Sequence, residues 1–520
     1  MTFRSQPRRG LRGLLLASAL AAGTIGVVAA APAASAATAT AGTTYYVNCS
    51  AKQSGDGRSD ATAWNGMSHV NNRSFAPGDR IQLKRGTTCK GQLRLHGSGV
   101  PGSPIVVGAY PGTGARPTVA GGGTANNTGA VQLVNERYWT IQDLHITNRT
   151  TSTNPKTYRS GLLVLNSNGG YLAGITVQRL AVDSVRSNAG NGNTRMYGGI
   201  SVLTFADKVK SGFQGLRVVN NSVKGVSRTG IITSNTHYPK SWDRDVRISG
   251  NRLSSIRGDG IVLIGAKDSR IDANVVVGAG DLGSCAHCGR LGGPSTASAG
   301  IWPSNTRNVR IDHNEVSKTH NTGGDGEGFD IDRASVNTTL EYNYAHDNAG
   351  GGVLLTGANS SVIRFNVFEN NEQGALTFYG KAPSTSTSFY NNTVYISKKA
   401  AAKVVRTFGA IKGSKVSFKN NIVYSYGPGT YQWPTKSVTT SSNTLIGTHG
   451  AGRPRDAKTS YGAPGLKNPG TGGNGFASLK GYKPAHPSSF KRGVPVPKSV
   501  KTDFFGKRIN SQKPPRGAAG

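Results

Sequence analysis

Carboxylates are the scarce groups of this sequence: 25 Asp and Glu stand against 61 Lys and Arg, for a formal net charge of +36. An excess of that size implies salt-sensitive attraction to polyanions, and it carries no information about fold. Long apolar runs are scarce too. The one such run, from Leu14 to Ala31, follows Arg4, Arg8, Arg9 and Arg12 and precedes the small triplet Ala34-Ser35-Ala36. That pattern predicts an export signal over residues 1–36, by the general secretory route or, given Arg8-Arg9, the twin-arginine route. Nothing else is apolar enough to cross a bilayer, so a secreted, extracellular protein without a transmembrane segment is expected.

Cysteine is limited to Cys49, Cys89, Cys285 and Cys288. In an oxidising compartment two disulfides are expected, Cys49–Cys89 and Cys285–Cys288. A zinc site at Cys285-Ala-His287-Cys288 lacks a second ligand pair at zinc-finger spacing. Charged residues are only 17% of the chain and hydrophobic ones 36%, while Gly reaches 72. That is lean for a globular core, and it suits short strands joined by many tight bends better than it suits disorder.

What is abundant is a repeated phrase: alternating apolar residues, an Asn, then another apolar pair. It reads VRISGNRL, SRIDANVV, VRIDHNEV, LEYNYA, VIRFNVF, SFYNNTV and SFKNNIV. The Asn slot falls at Asn221, Asn251, Asn274, Asn314, Asn343, Asn366, Asn392 and Asn421, at intervals of 30, 23, 40, 29, 23, 26 and 29 residues. Leu144 and Leu180 hold the slot in two earlier coils. Intervals that bottom out at 23 match a solenoid coil of three short strands, with loops lengthening some coils. The apolar columns, among them Ile248, Ile311, Leu340 and Phe389, form the stacked core. Asn suits the bend because it tolerates a left-handed backbone and its amide can bond the amide one coil away. Each segment is too short, too β-branched and too Gly-punctuated to supply a helical face.

The opening TYYVNCSA…PGDRIQLKRGTTCKGQLRLHGSGVPGSPIVVGAYPGTGARP, at residues 44–117, and the Asn-bearing coils resemble secreted bacterial right-handed parallel β-helix proteins of the pectate-lyase-like superfamily, over roughly 44–430. The closing Asp503-Phe504-Phe505-Gly506 is similar to a frequent ending of such proteins. The resemblance implies an all-β fold, a right-handed parallel β-helix of about ten coils, with a Gly/Pro/Lys-rich C-terminal extension. The expected divisions are the signal (1–36), an N-terminal cap with the first coils (37–130), the solenoid with its site (131–426) and a basic irregular region (427–520). The resemblance implies chemistry less sharply, since the group holds lyases, glycoside hydrolases, epimerases and adhesins. Neither the Gly-His-Gly nor the Arg-Ile-Lys signature of polygalacturonases is present, so hydrolysis of polygalacturonan is not expected.

Charges add two expectations. Arg217, Arg247, Arg270 and Arg310 stand four residues before the Asn slot, and Asp272, Asp312 and Glu341 two residues before it, which reads as a surface ion-pair ladder with Arg217 and Arg247 at an unpaired end. Fourteen of the 25 acids lie between residues 259 and 372. The densest group is Gly323-Gly-Asp325-Gly-Glu327-Gly-Phe329-Asp330-Ile331-Asp332-Arg333. With Phe329 and Ile331 inward, Asp330 and Asp332 face outward together, about 6–7 Å apart. Such a pair fits an inverting acid/base couple, and the same cluster fits calcium, with Asp325 and Glu327 as further oxygen ligands. Asp330, Asp332, Arg333 and His346 are therefore the expected catalytic residues: His346 as a proton carrier and Arg333 as the partner of a substrate carboxylate. Trp302, Lys318, His320 and Asp347 are expected to bind substrate.

The leading expectation is a polysaccharide lyase acting as a monomer on an acidic, uronate-containing glycan, with Lys318 or Arg333 as base. A glycoside hydrolase using paired Asp carboxylates and a non-catalytic solenoid binding an anionic cell-wall polymer are the alternatives. Nucleic acid is disfavoured, because the aromatic-plus-basic interleaving of single-strand binders is missing from the coils.

Overall fold

The computed structural model describes residues 42–150, 158–187, 195–281, 297–320, 325–380, 383–397, 403–409, 413–462, 465–487 and 490–520. The expected export signal and Cys285–Cys288 lie outside the described residues. No helix among those residues is long and apolar enough to cross a membrane.

Among the described residues, three parallel sheets of 17, 12 and 14 strands stack into a β-helix. One coil shows the path. Ile301–Ser304 belongs to the 12-stranded sheet, Arg307–Asp312 to the 17-stranded sheet and Glu315–Ser317 to the 14-stranded sheet; Phe329–Ile331 then begins the next coil. The register puts Ile301 beside Phe329, Ile311 beside Leu340 and Val316 beside Ala345. Inward columns such as Ile311, Leu340, Ile363, Phe389 and Phe418 are fully buried, as their period predicts. Glycine starts several 12-stranded-sheet strands because the third sheet passes close by: a Cβ on Gly300 would lie 2.2 Å from Val316 Cγ1.

The Asn column forms a continuous amide ladder. The backbone N–H and side-chain Nδ2 of Asn314 both donate to Asn343 Oδ1, at 2.9 and 3.0 Å, and Asn343 repeats this onto Asn366 at 2.9 and 3.1 Å. One expectation is corrected. The left-handed backbone belongs to the residue before the Asn: His313 has φ 55°, Tyr342 56° and Phe365 51°. The Asn itself must keep its amide turned inward to reach the carbonyl of the preceding coil, as Asn314 Nδ2 reaches Ile271 O at 2.9 Å. Its outward-facing neighbour therefore takes the reversal. A left-handed non-glycine costs about 1–2 kcal/mol, and the ladder's several buried hydrogen bonds, each with a net value of about 1 kcal/mol, exceed that.

The sheets run past residue 426. Asn421 bonds Asn443 in the same manner, and Thr430–Tyr431, Val438–Ser441 and Thr444–Gly447 supply a further coil. The remaining chain, from residue 465 on, lies along the solenoid as a strap. Its Leu479, Tyr482, Val500 and Phe504 pack on Tyr344, Phe365, Val367 and Tyr424. Near the other end, the expected Cys49–Cys89 disulfide is present, with Cα atoms 5.2 Å apart.

The ion ladder exists, with pairs inside a coil, Arg270–Asp272 at 3.7 Å and Arg310–Asp312 at 3.1 Å, as well as pairs between coils. Arg247 meets Asp272 at 2.8 Å, Arg270 meets Asp312 at 2.6 Å, and Arg310 and Arg364 flank Glu341 at 2.8 and 2.6 Å. Its expected unpaired end is corrected, because Arg217 pairs with Asp245 at 2.6 Å and Arg247 with the acid of the next coil. The carboxylates are buried beneath half-exposed guanidiniums. Burial works to raise the Asp312 carboxyl, but His313, Arg270 and Arg310 outweigh it and hold it below the usual range.

Candidate active site

Phe329 and Ile331 are fully buried in the core, so Asp330 between them points out of the 12-stranded sheet. It enters a cleft of about 490 Å³ on the sheet's outer face. Trp302 comes from the coil before, Leu354 pairs with Asp330 from the coil after, and the half-exposed Tyr379 follows one coil later. Asp325, Asp332 and Arg333 line the same cleft, and Arg195 reaches in from the segment before Gly198–Phe205. Upstream, Leu163, Leu203, Ile232, Val262 and Trp302 make an apolar patch on this face beside the stacked Tyr158–Tyr197 pair, whose rings are 5.8 Å apart.

The floor is fixed by Asp259. Its Oδ1 accepts the Trp302 indole N–H at 3.0 Å, and its Oδ2 takes the fully buried Arg228 at 2.8 Å. Arg195 lies over the Trp302 ring at 5.1 Å. A buried ion pair holds its geometry well because losing either partner strands a charge. Trp302 is therefore immobilised on its polar edge and covered on one face.

The remaining carboxyls repel one another in a desolvated space. Burial above all, then Asp332, Asp325, Glu327 and Asp259, pushes Asp330 well above the ordinary carboxyl range. Glu327, almost fully buried, is pushed up to about 8 by burial and by Asp325. Asp325 is raised to about 6 by burial and by Asp259 and Asp332, against the pull of Arg195. Asp332 is raised by burial, although the Arg333 N–H, the Ser304 hydroxyl and two nearby arginines oppose the shift. Asp330 Oδ1 and Glu327 Oε2 are buried without a hydrogen-bond partner among the described residues. The result is a carboxyl, Asp330, biased toward its protonated form, two positions from a carboxyl better placed to ionise.

The structure thus brings together Asp325, Asp330, Asp332, Arg333 and Trp302, with Glu327 buried behind them. It does not bring in His346. That residue sits on Tyr344–His346 of the 14-stranded sheet, 1% exposed, between Glu315 at 3.2 Å and Asp347 at 2.9 Å, with its ring 4.2 Å from Tyr344. A role as proton carrier for the Asp330 cleft is corrected accordingly: the strap covers this network, since Gly475 N–H donates to Glu315 Oε1 at 2.8 Å. Lys318, His320 and Asp347 are exposed at or just beyond strands of the same sheet and do not line the cleft. Among the described residues no group of three His, Cys, Asp or Glu is arranged to hold a metal ion.

Sequence reasoning missed Arg195, Leu354 and Tyr379 as lining residues. Leu354 and Tyr379 share the outward phase of the Gly-led strands, and that phase was the available signal. Arg195 comes from outside the repeat and has no periodic signature.

The family described as right handed beta helix region matches residues 208–394. A GH136 lacto-N-biosidase from Eubacterium ramulus superposes with TM-score 0.61 at 20% identity, covering 78% of this chain and 67% of that one. The structure of XylC in complex with xylose superposes with TM-score 0.55 at 10% identity, covering 91% and 98%. No curated protein matches the chain. The fold is a right-handed parallel β-helix.

Proposed function

We propose that this protein is a secreted glycan-degrading enzyme that hydrolyses glycosidic bonds in the cleft, with Asp330 as the general acid and Asp332 as the carboxylate that activates water. The observation that carries the reading is Asp330 itself: a desolvated carboxyl, crowded by other acids, with one oxygen lacking a hydrogen-bond partner among the described residues. Such a group holds its proton at neutral pH and can deliver it to a leaving oxygen. Residues two apart on an extended chain are separated by about 6.6 Å, which leaves room for a water and favours inversion. The lacto-N-biosidase and the xylose complex support a sugar as the substrate class.

Elimination from a uronate is the weaker reading. It needs a base beside the sugar, and His346 and Lys318 both stand on the other sheet, so of the residues expected for that role Arg333 remains in the cleft. Arg333 and Arg195 favour it only in offering charge to a substrate carboxylate. Incubation with neutral and acidic oligosaccharides, with and without a calcium chelator, separates the readings. Hydrolysis releases reducing ends without ultraviolet-absorbing product; an unsaturated, absorbing product would overturn the hydrolase reading. No cleavage of any glycan, with binding retained in D330A and D332A, would make the solenoid a binding protein.

A further inference from the structure

The strap separates its residues by chemistry. Its apolar side chains face the solenoid, and of the eleven Lys and Arg between residues 465 and 520, ten are exposed. The exception, Arg516, turns in and donates to Asn443 O and Lys458 O at 2.9 and 2.8 Å. The strap's one carboxylate, Asp503, is buried and occupied, accepting the N–H groups of Phe505, Lys507 and Gly520, each at 2.9 Å. The contrast with the ladder is sharp, where Arg247, Arg270, Arg310 and Arg364 each have a carboxylate.

We propose that the outer surface of the strap is a docking face for a linear polyol-phosphate polymer, separate from the cleft. Like charges held within a screening length repel, so a face of this kind lowers stability unless a polyanion covers it. The face is also fixed in place. Asn420 and Val494 exchange two hydrogen bonds at 2.8 Å, Gly475 is tied to Glu315, and Asn391 Nδ2 donates to Pro515 O at 2.6 Å. A polymer binding there orders no protein segment, which removes the usual entropic cost of a loose basic tail.

Two features select the partner. Eight of the ten exposed cations are Lys, a compact point charge that meets a phosphodiester without a fixed geometry, as a flexible polymer requires, whereas the planar fork of Arg suits paired recognition of a fixed carboxylate or phosphate. The strap's Tyr482, Phe490 and Phe504 are buried, and its partly buried rings are engaged, Phe476 stacked on Phe504 at 5.6 Å and Phe505 covered by Lys483 at 4.9 Å, which leaves little ring face for stacking nucleobases. Where the strap meets the ladder, a recess of about 280 Å³ sets Lys501 near Arg310 and Arg364, but Glu341 already pairs both arginines and Asp503 lines the same recess, so the polymer's charge is met on the open face of the strap. The strap lies on the 17- and 14-stranded sheets and the cleft on the 12-stranded one, so both can be occupied at once. This inference does not rest on the chemistry assigned to the cleft.

The test is binding of the full chain to polyglycerol phosphate over a range of salt. The variant K467Q/K480Q/K483Q/K491Q/R492Q/K498Q is expected to bind at least about tenfold more weakly and with a shallower salt dependence. The matched variant K467R/K480R/K483R/K491R/R492K/K498R, and a control neutralised elsewhere (K52Q/K90Q/R116Q/R137Q/K208Q/K210Q), should stay within about threefold of the parent. If the six-fold variant loses its cooperative unfolding transition, the triples K467Q/K480Q/K483Q and K491Q/R492Q/K498Q replace it, each expected to lose about threefold or more. The proposal is overturned if the strap variants bind like the parent or if the control loses as much. It is equally overturned if polygalacturonate or duplex DNA binds more tightly than polyglycerol phosphate. Cleavage of a short neutral oligosaccharide, measured alongside, reports on the cleft separately.

Discussion

His346 and Glu315 are bonded across neighbouring coils at 3.2 Å, and the same Glu315 oxygen accepts the strap's Gly475 N–H at 2.8 Å. Tyr344 stacks on the His346 ring and donates to Glu369, which in turn accepts Gly472 N–H. The histidine is thereby a clamp between solenoid and strap.

Burial works against the charge on His346, but Asp347 and Glu315 outweigh it and raise the imidazole above its ordinary range. A group raised in the folded state stabilises most below its unfolded pKa of about 6.5, and the contribution is lost as pH rises through the folded value. H346Q strands part of a buried pair and should cost about 3 kcal/mol at pH 6. Less should be lost at pH 9, and the parent should itself weaken over that interval. Chemical denaturation at both pH values checks this; an equal cost at each would mean that packing, and not charge, makes the clamp.

The amide ladder makes a second prediction. Asn343 Oδ1 is the acceptor for two Asn314 donors, and its Nδ2 serves Ile311 O and Asn366 Oδ1. N343A leaves buried donors unpaired and should destabilise by about 3 kcal/mol. Proteolysis should then begin near this coil. A change under about 0.5 kcal/mol, the scale of ordinary surface substitutions, would show that neighbouring coils satisfy these groups without the ladder.

The apolar columns and the Asn slot were legible in sequence because both are set by one period, and the structure keeps them. What the period does not carry is rotation around the coil. His346 is sixteen residues from Asp330, close enough in sequence to suggest a shared site, yet it lies two strands further along the same coil, on the 14-stranded sheet. The Arg–acid pairs were readable as residue types, but their partners depend on register, which puts Arg247 beside Arg270 and aims it at Asp272. Asp330 was legible because flanking Phe329 and Ile331 are apolar on both sides of it. Its desolvation was not, since Trp302, Leu354 and Arg195 close the cleft from three separate parts of the chain.

Asp330 and Glu327 should show activity set against stability. Glu327 is raised to about 8 from 4.5, so the folded state retains a proton that the unfolded chain releases. The folded state is therefore penalised progressively between those two pH values, by on the order of 3 kcal/mol at pH 7. Replacing the acid with an amide removes that penalty: E327Q and D330N should each unfold at higher temperature than the parent above pH 7, the reverse of most core substitutions. Their effects on hydrolysis should differ. D330N removes the proton donor and should lower kcat by about a hundredfold or more. D332N should fall comparably, because the water loses its base. E327Q should remain active with a shifted profile: once ionised, Glu327 helps keep Asp330 protonated, so its removal should move the alkaline limb of kcat/KM to lower pH. The acid limb, set by ionisation of Asp332, should stay in place. A D330N protein that is both less stable and fully active would remove Asp330 from the reaction.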